Sequence, residues 1–297
     1  MPSYLFPVPP SLIVSGFTTS TAIKIQNVAH VELSDSVLGV HKVSSQTTHR
    51  VVTTPDSKKA WEAYFPEGSI NPGNKQAPAG GFGFYLRGPK AFQDILKREA
   101  PEEVIMGYEV MFEDGWQWRK GGKLPGIYGG VDEFAYGCTG GRQTDRCKCF
   151  NLRLMWRENG AAELYTYLPQ NEANTRAMLA VPPRSIQHAD YGFSVGRGAW
   201  SFVPGKWTTV AERVKMNTVG KADGEVEVYI DGRSVLHARG LILRDPEAPN
   251  SCVQGLHFQT FFGGHSGDWA SPRNQKAWFA SVSGAVLRPC ERIAGEL

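Results

Sequence analysis

The sequence predicts an all-β protein, and three observations carry that expectation. Short stretches of alternating apolar and polar residues recur along the chain, as in VIMGYEVMF (104–112) and EVEVYIDG (225–232); this is the period of a half-buried strand. Turn formers are frequent, with 33 glycines and 19 prolines, which keeps the elements between them short. Only KAFQDILKREA (90–100) reads as a helix, and it is a short one. At 297 residues the chain is longer than an average domain, but sandwiches and barrels reach this size as single units. No repeat, low-complexity tract or linker divides it, so one domain is expected.

Taken in order, residues 1–59 are rich in Ser, Thr and Val and alternate weakly. They are expected as extended segments packed on the same domain, whose main body is 60–297. GGFGFYLRG (80–88) reads as a strand, and 104–112 places Val104, Met106, Tyr108, Val110 and Phe112 on one face. KGGKLPGIYGG (120–130) holds five glycines and one proline around Lys123. It is expected to form a tight bend where another molecule approaches the backbone. WTTVAERVKM (207–216), EVEVYIDG, LHFQTFFGG (256–264) and AWFASVSGAVL (277–287) are further strands, with IDGR a hairpin turn. Glu225, Glu227 and Tyr229 share a face expected to meet solvent.

The hairpin CFNLRLMWRENGAAELYTYLP (149–169) is the most informative stretch. A three-residue loop at Glu158-Asn159-Gly160 pairs Arg157 with Ala161, sets Arg153 opposite Tyr165, and sets Asn151 opposite Tyr167. These four then share one face, while Leu152, Leu154, Trp156, Leu164 and Leu168 face the core. A two-residue turn would slip the register and separate Arg153 from Tyr165. The first register segregates polar from apolar on both strands and is preferred.

A net charge of +3 is too small for a nucleic-acid binder, and no apolar run approaches a membrane span. The opening MPSYLFPVPPSLIVS lacks a basic start and is broken by four prolines, so it is not read as a signal peptide. Cysteines stand at 138, 147, 149, 252 and 290. Cys138, Cys147 and Cys149 crowd a glycine-rich loop, where one disulfide of open pairing is expected, and with it a secreted protein. The seven histidines form no ligand spacing, so neither a metal nor another cofactor is expected.

A guanidinium beside two phenols and a lysine suits an acidic sugar, because arginine holds a carboxylate through two parallel hydrogen bonds. The set contains no carboxylate, whereas most glycosidases need two. β-Elimination is the chemistry that fits. Neutralising a uronate's carboxylate acidifies its C5 hydrogen; a Lys or Tyr of lowered pKa takes that proton, and a Tyr returns one to the leaving O4. In β-1,4-linked glucuronate or mannuronate, H5 and O4 lie on the same side of the ring. Tyr165, beside Arg153, is the preferred acid/base and Tyr167 its support.

KGGKLPGIYGG, followed by NLRLMWR, ELYTYLP and FFGGHSGDWASP (261–272), resembles the polysaccharide lyase family 14 domain of alginate and glucuronan lyases across residues 60–288. The resemblance implies a β-jelly roll of two curved antiparallel sheets with substrate on the concave face. It implies that Lys123 is the family's essential lysine, Arg153 its arginine, and Tyr165 and Tyr167 its paired tyrosines. Asn151 stands where some members carry a catalytically important serine. His257 and Gln259 alternate with core residues and are expected to face the same cleft. Trp269, with Trp116, is a candidate sugar-stacking platform, and His265 is expected to be exposed. The expected protein is therefore a monomeric, endolytic lyase of glucuronan or mannuronate-rich alginate, with a slight lean to glucuronate. Its partner is an acidic polysaccharide, with no nucleic acid and no membrane. The rival class is a carbohydrate-binding jelly roll that uses the same face without turnover.

Overall fold

Strand alternation and frequent turns produce a two-layer β architecture in the computed structural model, which describes residues 3–188 and 192–288. The strands run β1 (Ile13–Thr18), β2 (Val28–His30), β3 (Val40–His41), β4 (Arg50–Thr53), β5 (Lys59–Phe65), β6 (Phe82–Leu86) and β7 (Glu103–Phe112). They continue as β8 (Gly122–Gly130), β9 (Cys149–Trp156), β10 (Ala162–Tyr167), β11 (Ile186–Gln187) and β12 (Phe193–Val195). The last five are β13 (Trp207–Lys215), β14 (Gly224–Ile230), β15 (Arg233–Leu241), β16 (Cys252–Phe262) and β17 (Gln275–Leu287).

Sheet I has the order β15-β14-β13-β7-β17-β1-β2, with β5 also on β17 and β4 on β5. Sheet II has the order β11-β12-β10-β9-β8-β16-β6-β3. All pairs are antiparallel except β1 with β2. The two open sheets form a β-jelly roll. The helix expected at 90–100 is α1 (Lys90–Glu99), which buries Phe92 and Leu96. A second helix, α2 (Glu172–Leu179), starts where the Asn171 side chain accepts the Asn174 N–H, an N-cap within a polar stretch without clear apolar periodicity.

Rings from both sheets fill the space between them. Trp61 and Tyr108 of sheet I meet Phe258 of sheet II at 5.2 and 5.4 Å between centroids, and Phe82 meets Phe279 at 5.5 Å. Val104, Met106, Tyr108, Val110 and Phe112 all lie in this core, as their alternation requires. Trp116 belongs there too, between Phe112 and Phe262; it is not a surface platform. Glu225 and Glu227 do not face solvent. Both are buried around the Arg213 guanidinium at 3.4 and 3.1 Å, with His237 2.9 Å from Glu225. Pairing explains their burial, since an unpaired carboxylate could not lie there cheaply.

The turn near 120–130 is at Arg119 and Lys120, ahead of Lys123, and residues 122–130 form no bend. Gly122–Gly130 is a central strand, buried along its whole length. The proline is accommodated by a bulge, where the ladder to β9 shifts between Leu124 and Gly126; a residue lacking an N–H is tolerated inside a sheet at such a point.

Candidate active site

The hairpin register places the site. Arg157 N–H bonds the Ala161 carbonyl at 2.6 Å, with Asn159 and Gly160 both at positive φ. Arg153 then pairs with Tyr165 and Asn151 with Tyr167. Adjacent strands extend these pairs into rows on the face of sheet II turned away from the core. One row runs Phe261, Lys123, Met155, Glu163. The next runs His257, Gly126, Arg153, Tyr165, Ser194. The third holds Tyr128, Asn151 and Tyr167. Three strands, β8, β9 and β10, therefore bring Lys123, Arg153, Tyr165 and Tyr167 together.

Gly126 gives Arg153 its room. A Cβ there would lie 2.2 Å from the Leu152 carbonyl oxygen and 2.6 Å from Arg153 Cα, so no side chain fits between β8 and β9. Across this gap Arg153 Nη1 donates to Gln259 Oε1 at 2.6 Å on β16, while its Nε donates to Asn151 Oδ1 at 3.1 Å. Arg153 is 3% exposed, and among the described residues no carboxylate pairs with its guanidinium. Its partners are neutral amides, and the groups that oppose the effect of burial on its charge are Tyr167, Tyr85 and Tyr165. A buried cation without an anion is costly, and a carboxylate brought by a ligand would complete it.

Asn151 links two of the predicted residues. Its Oδ1 accepts from Arg153, so its amide nitrogen faces His257 Nδ1 at 3.0 Å. That nitrogen must accept, which leaves the imidazole proton on Nε2. Burial, then the charges of Arg153 and Lys123, push the His257 pKa well down, so the ring is neutral. It stacks on Tyr85 at 4.1 Å.

Lys123 is 8% exposed. Its Nζ lies 3.2 Å from the Tyr165 ring centroid and donates to Met155 Sδ at 2.9 Å. Neither neighbour offers a negative charge. Burial, followed by the charges of Arg153 and Arg157, lowers the lysine pKa well below its ordinary value, with Glu163 opposing. Burial has the reverse effect on Tyr165, raising its pKa. Burial thus makes the amine easier and the phenol harder to deprotonate than in water. Tyr165 and Tyr167 meet edge to face at 5.7 Å.

Sequence reasoning missed a carboxylate on this face. Glu163 is fully buried. Arg157 donates to one of its oxygens, and the other accepts from Arg197 at 2.6 Å and Ser194 at 2.8 Å. Burial alone would raise its pKa, but the two guanidiniums outweigh that and hold it ionised. Met155 and Tyr85 were missed as well, although alternation in NLRLMWR puts Met155 on the face of Arg153. Trp269 is half-buried at the lysine end: a Cβ on Gly263 would lie 3.8 Å from both Met155 Cε and the Trp269 ring. His265 is exposed.

The loop disulfide joins Cys138 to Cys149. It ties residues 138–149 to the start of β9 and clusters with Met155, Tyr165 and Tyr167. Cys147 and Cys252 are free thiols among the described residues, and Cys290 lies outside them. The Arg146 guanidinium, from the same tied segment, sits 4.9 Å from the Tyr167 ring centroid.

The crystal structure of a marine PL-14 alginate lyase from Aplysia kurodai is similar at 32% identity, covering 85% of this chain and 94% of that one, with a TM-score of 0.70. The alginate lyase vAL-1 from a Chlorella virus shares the fold at 21% identity, covering 84% and 93% of the two chains, with a TM-score of 0.64. Comparison with curated proteins gave no match. The sequence model described as polysaccharide lyase 14 matches residues 53–282, a span containing every residue of the site described above. With that match and the Aplysia relative agreeing over most of its length, this chain belongs to polysaccharide lyase family 14.

Proposed function

We propose that this lyase cleaves a β-1,4-linked polyuronate within the chain, with mannuronate-rich alginate the preferred polymer and glucuronan the runner-up. The single observation that carries the reading is Arg153, a buried guanidinium held by two neutral amides beside a depressed-pKa lysine. The lean to alginate, away from the glucuronate expected from sequence, comes from the Aplysia relative, which is an alginate lyase.

In this reading a uronate carboxylate docks on Arg153, and the His257 Nε2–H adds a neutral donor. The Lys123 amine takes the C5 proton. The electron pair of the broken C–H bond moves toward the carboxylate, giving an enolate-like dianion that Arg153 stabilises. That pair then forms the C4–C5 double bond as the C4–O4 bond breaks, and Tyr165 gives its proton to O4. The products are a 4,5-unsaturated uronate at the new non-reducing end and a hydroxyl on the departing chain. The Lys123 ammonium returns the proton to the phenolate, directly or through water, restoring both groups. This assigns the base to Lys123 and the acid to Tyr165, because burial makes the amine easier and the phenol harder to deprotonate. The Cys138–Cys149 disulfide supports action outside the cytosol.

The test is incubation with polymannuronate, polyguluronate and glucuronan, following the ultraviolet absorbance of the new double bond and the product sizes. Rising absorbance with rapid loss of chain length supports the reading. No absorbance on any of the three ends it, and polymer retention without turnover would establish the binding-protein alternative.

A further inference from the structure

The interior of a β-sandwich is a costly place for a carboxyl group, yet Glu212 lies there, 1% exposed, in the middle of β13. Its neighbours across the sheet are Met106 of β7 and Val228 of β14, both core residues. Glu212 Oε2 reaches across the sandwich and accepts the Ile127 N–H at 2.7 Å. Beside it, the Tyr108 hydroxyl donates to the Pro125 carbonyl at 2.9 Å. Both contacts fall on the bulge of β8. There the ladder to β9 is interrupted between Leu124 and Gly126, and the ladder to β16 is interrupted between His257 and Phe261. An interrupted ladder orphans backbone groups in a dry interior, and two side chains of the opposite sheet take them up.

The bulge decides where Lys123 points. Lys123 and Tyr128 are five residues apart, so in a regular strand they would face opposite sides. Here both face outward, with Lys123 opposite Met155 and Tyr128 opposite Asn151, while Leu124 and Ile127 lie in the core. The extra residue resets the alternation. It also brings Gly126 opposite Arg153, which opens the gap that the guanidinium crosses.

We propose that Glu212 and Tyr108 are positioning residues for the lysine: holding Pro125–Ile127 from behind, they fix the bulge that sets Lys123 Nζ over the Tyr165 ring. The inference rests on Lys123 being the base. Burial raises the Glu212 pKa well above its ordinary value, which favours the neutral acid, and glutamine is the close mimic of that form. Glu212→Gln keeps an acceptor for Ile127, whereas Glu212→Leu removes it at similar volume.

The experiment compares the wild type, Glu212→Gln, Glu212→Leu, Tyr108→Phe and Lys123→Ala on the polymer that the wild type cleaves. Thermal melts confirm folding, and kcat and KM are measured separately. Glu212→Gln is expected within about threefold of wild type, because it keeps the geometry. Glu212→Leu is expected to lose on the order of 100-fold in kcat with little change in KM, the usual result of misplacing a reacting group by about 1 Å. Tyr108→Phe should fall between them. A folded Glu212→Leu with wild-type kcat overturns the proposal, as does a Gln variant no better than Leu. Should Glu212→Leu fail to fold, Tyr108→Phe decides: a reduced kcat at constant KM supports the proposal, and a wild-type kcat overturns it. Lys123→Ala separates the two levels. If it stays active, the assignment of the base fails. If it is inactive while the Glu212 and Tyr108 variants behave as wild type, only the positioning role fails.

Discussion

Replacing Lys123 with methionine is expected to make the protein more stable while abolishing its activity. The side chain is enclosed by a thioether, an aromatic face and two nearby guanidiniums, so its ammonium is penalised in the folded chain. In the unfolded chain it keeps its proton up to about pH 10.4. Between the two pKa values the unfolded state binds more protons than the folded one, and stability therefore rises with pH. Each pH unit below the unfolded value costs about 1.4 kcal/mol, until the folded pKa is reached and the cost levels off. Methionine fills a similar volume and carries no such cost. Its advantage should thus be greatest near or below neutrality and fade towards about pH 10. In a chain of this size each kcal/mol moves the melting temperature by roughly 2 °C. Thermal melts of both proteins over that range, run alongside the ultraviolet assay, read the effect. Parallel melting curves, or a methionine variant less stable at neutral pH, would show that the site accommodates the ammonium, and Lys123 would then be no neutral base.

Four further outcomes follow from the same geometry. Tyr165→Phe should lose about 10²–10⁴-fold in kcat, the range for a positioned proton donor, with oligouronate binding retained by calorimetry; wild-type turnover would remove the phenol from the mechanism. Activity should fall on the acid side as Lys123 takes a proton and should hold well into the alkaline range, because burial raises the Tyr165 pKa; a kcat/KM profile with an acidic optimum contradicts this. Gly126→Ala brings a methyl within 2.2 Å of the Leu152 carbonyl. It should cost about 1–3 kcal/mol in urea unfolding and more in activity than its stability loss explains, since Arg153 must shift. Added salt should raise KM far more than it changes kcat, as carboxylates meet Lys and Arg; a salt-independent KM would argue against a charged polymer.

Strand positions and the hairpin register were legible because one face of each strand is apolar. Arg153 and Tyr165 face each other as alternation requires, and Leu152, Leu154 and Trp156 lie in the core. Alternation also contained Met155 and Glu163, but residue type hid them: a methionine reads as core, and the partners of Glu163 arrive from Arg157 and from Arg197 on a separate segment. Residues 120–130 misled because glycine and proline are turn formers by local preference. Here a central strand uses them for a bulge and for close strand approach, and its orphaned backbone groups are met by Glu212 and Tyr108 more than fifteen residues away in sequence. The burial of Glu225 and Glu227 was hidden for the same reason, since Arg213 and His237 come from neighbouring strands. Long-range pairing of charges leaves no local trace.

The most direct measurement is a crystal structure of the Lys123→Met variant with a bound trimer of the preferred uronate. The account predicts one sugar carboxylate on the Arg153 guanidinium, with C5 of that ring facing the methionine side chain and O4 within reach of the Tyr165 hydroxyl. A trimer whose carboxylates avoid Arg153, or whose C5 faces away from position 123, would contradict it.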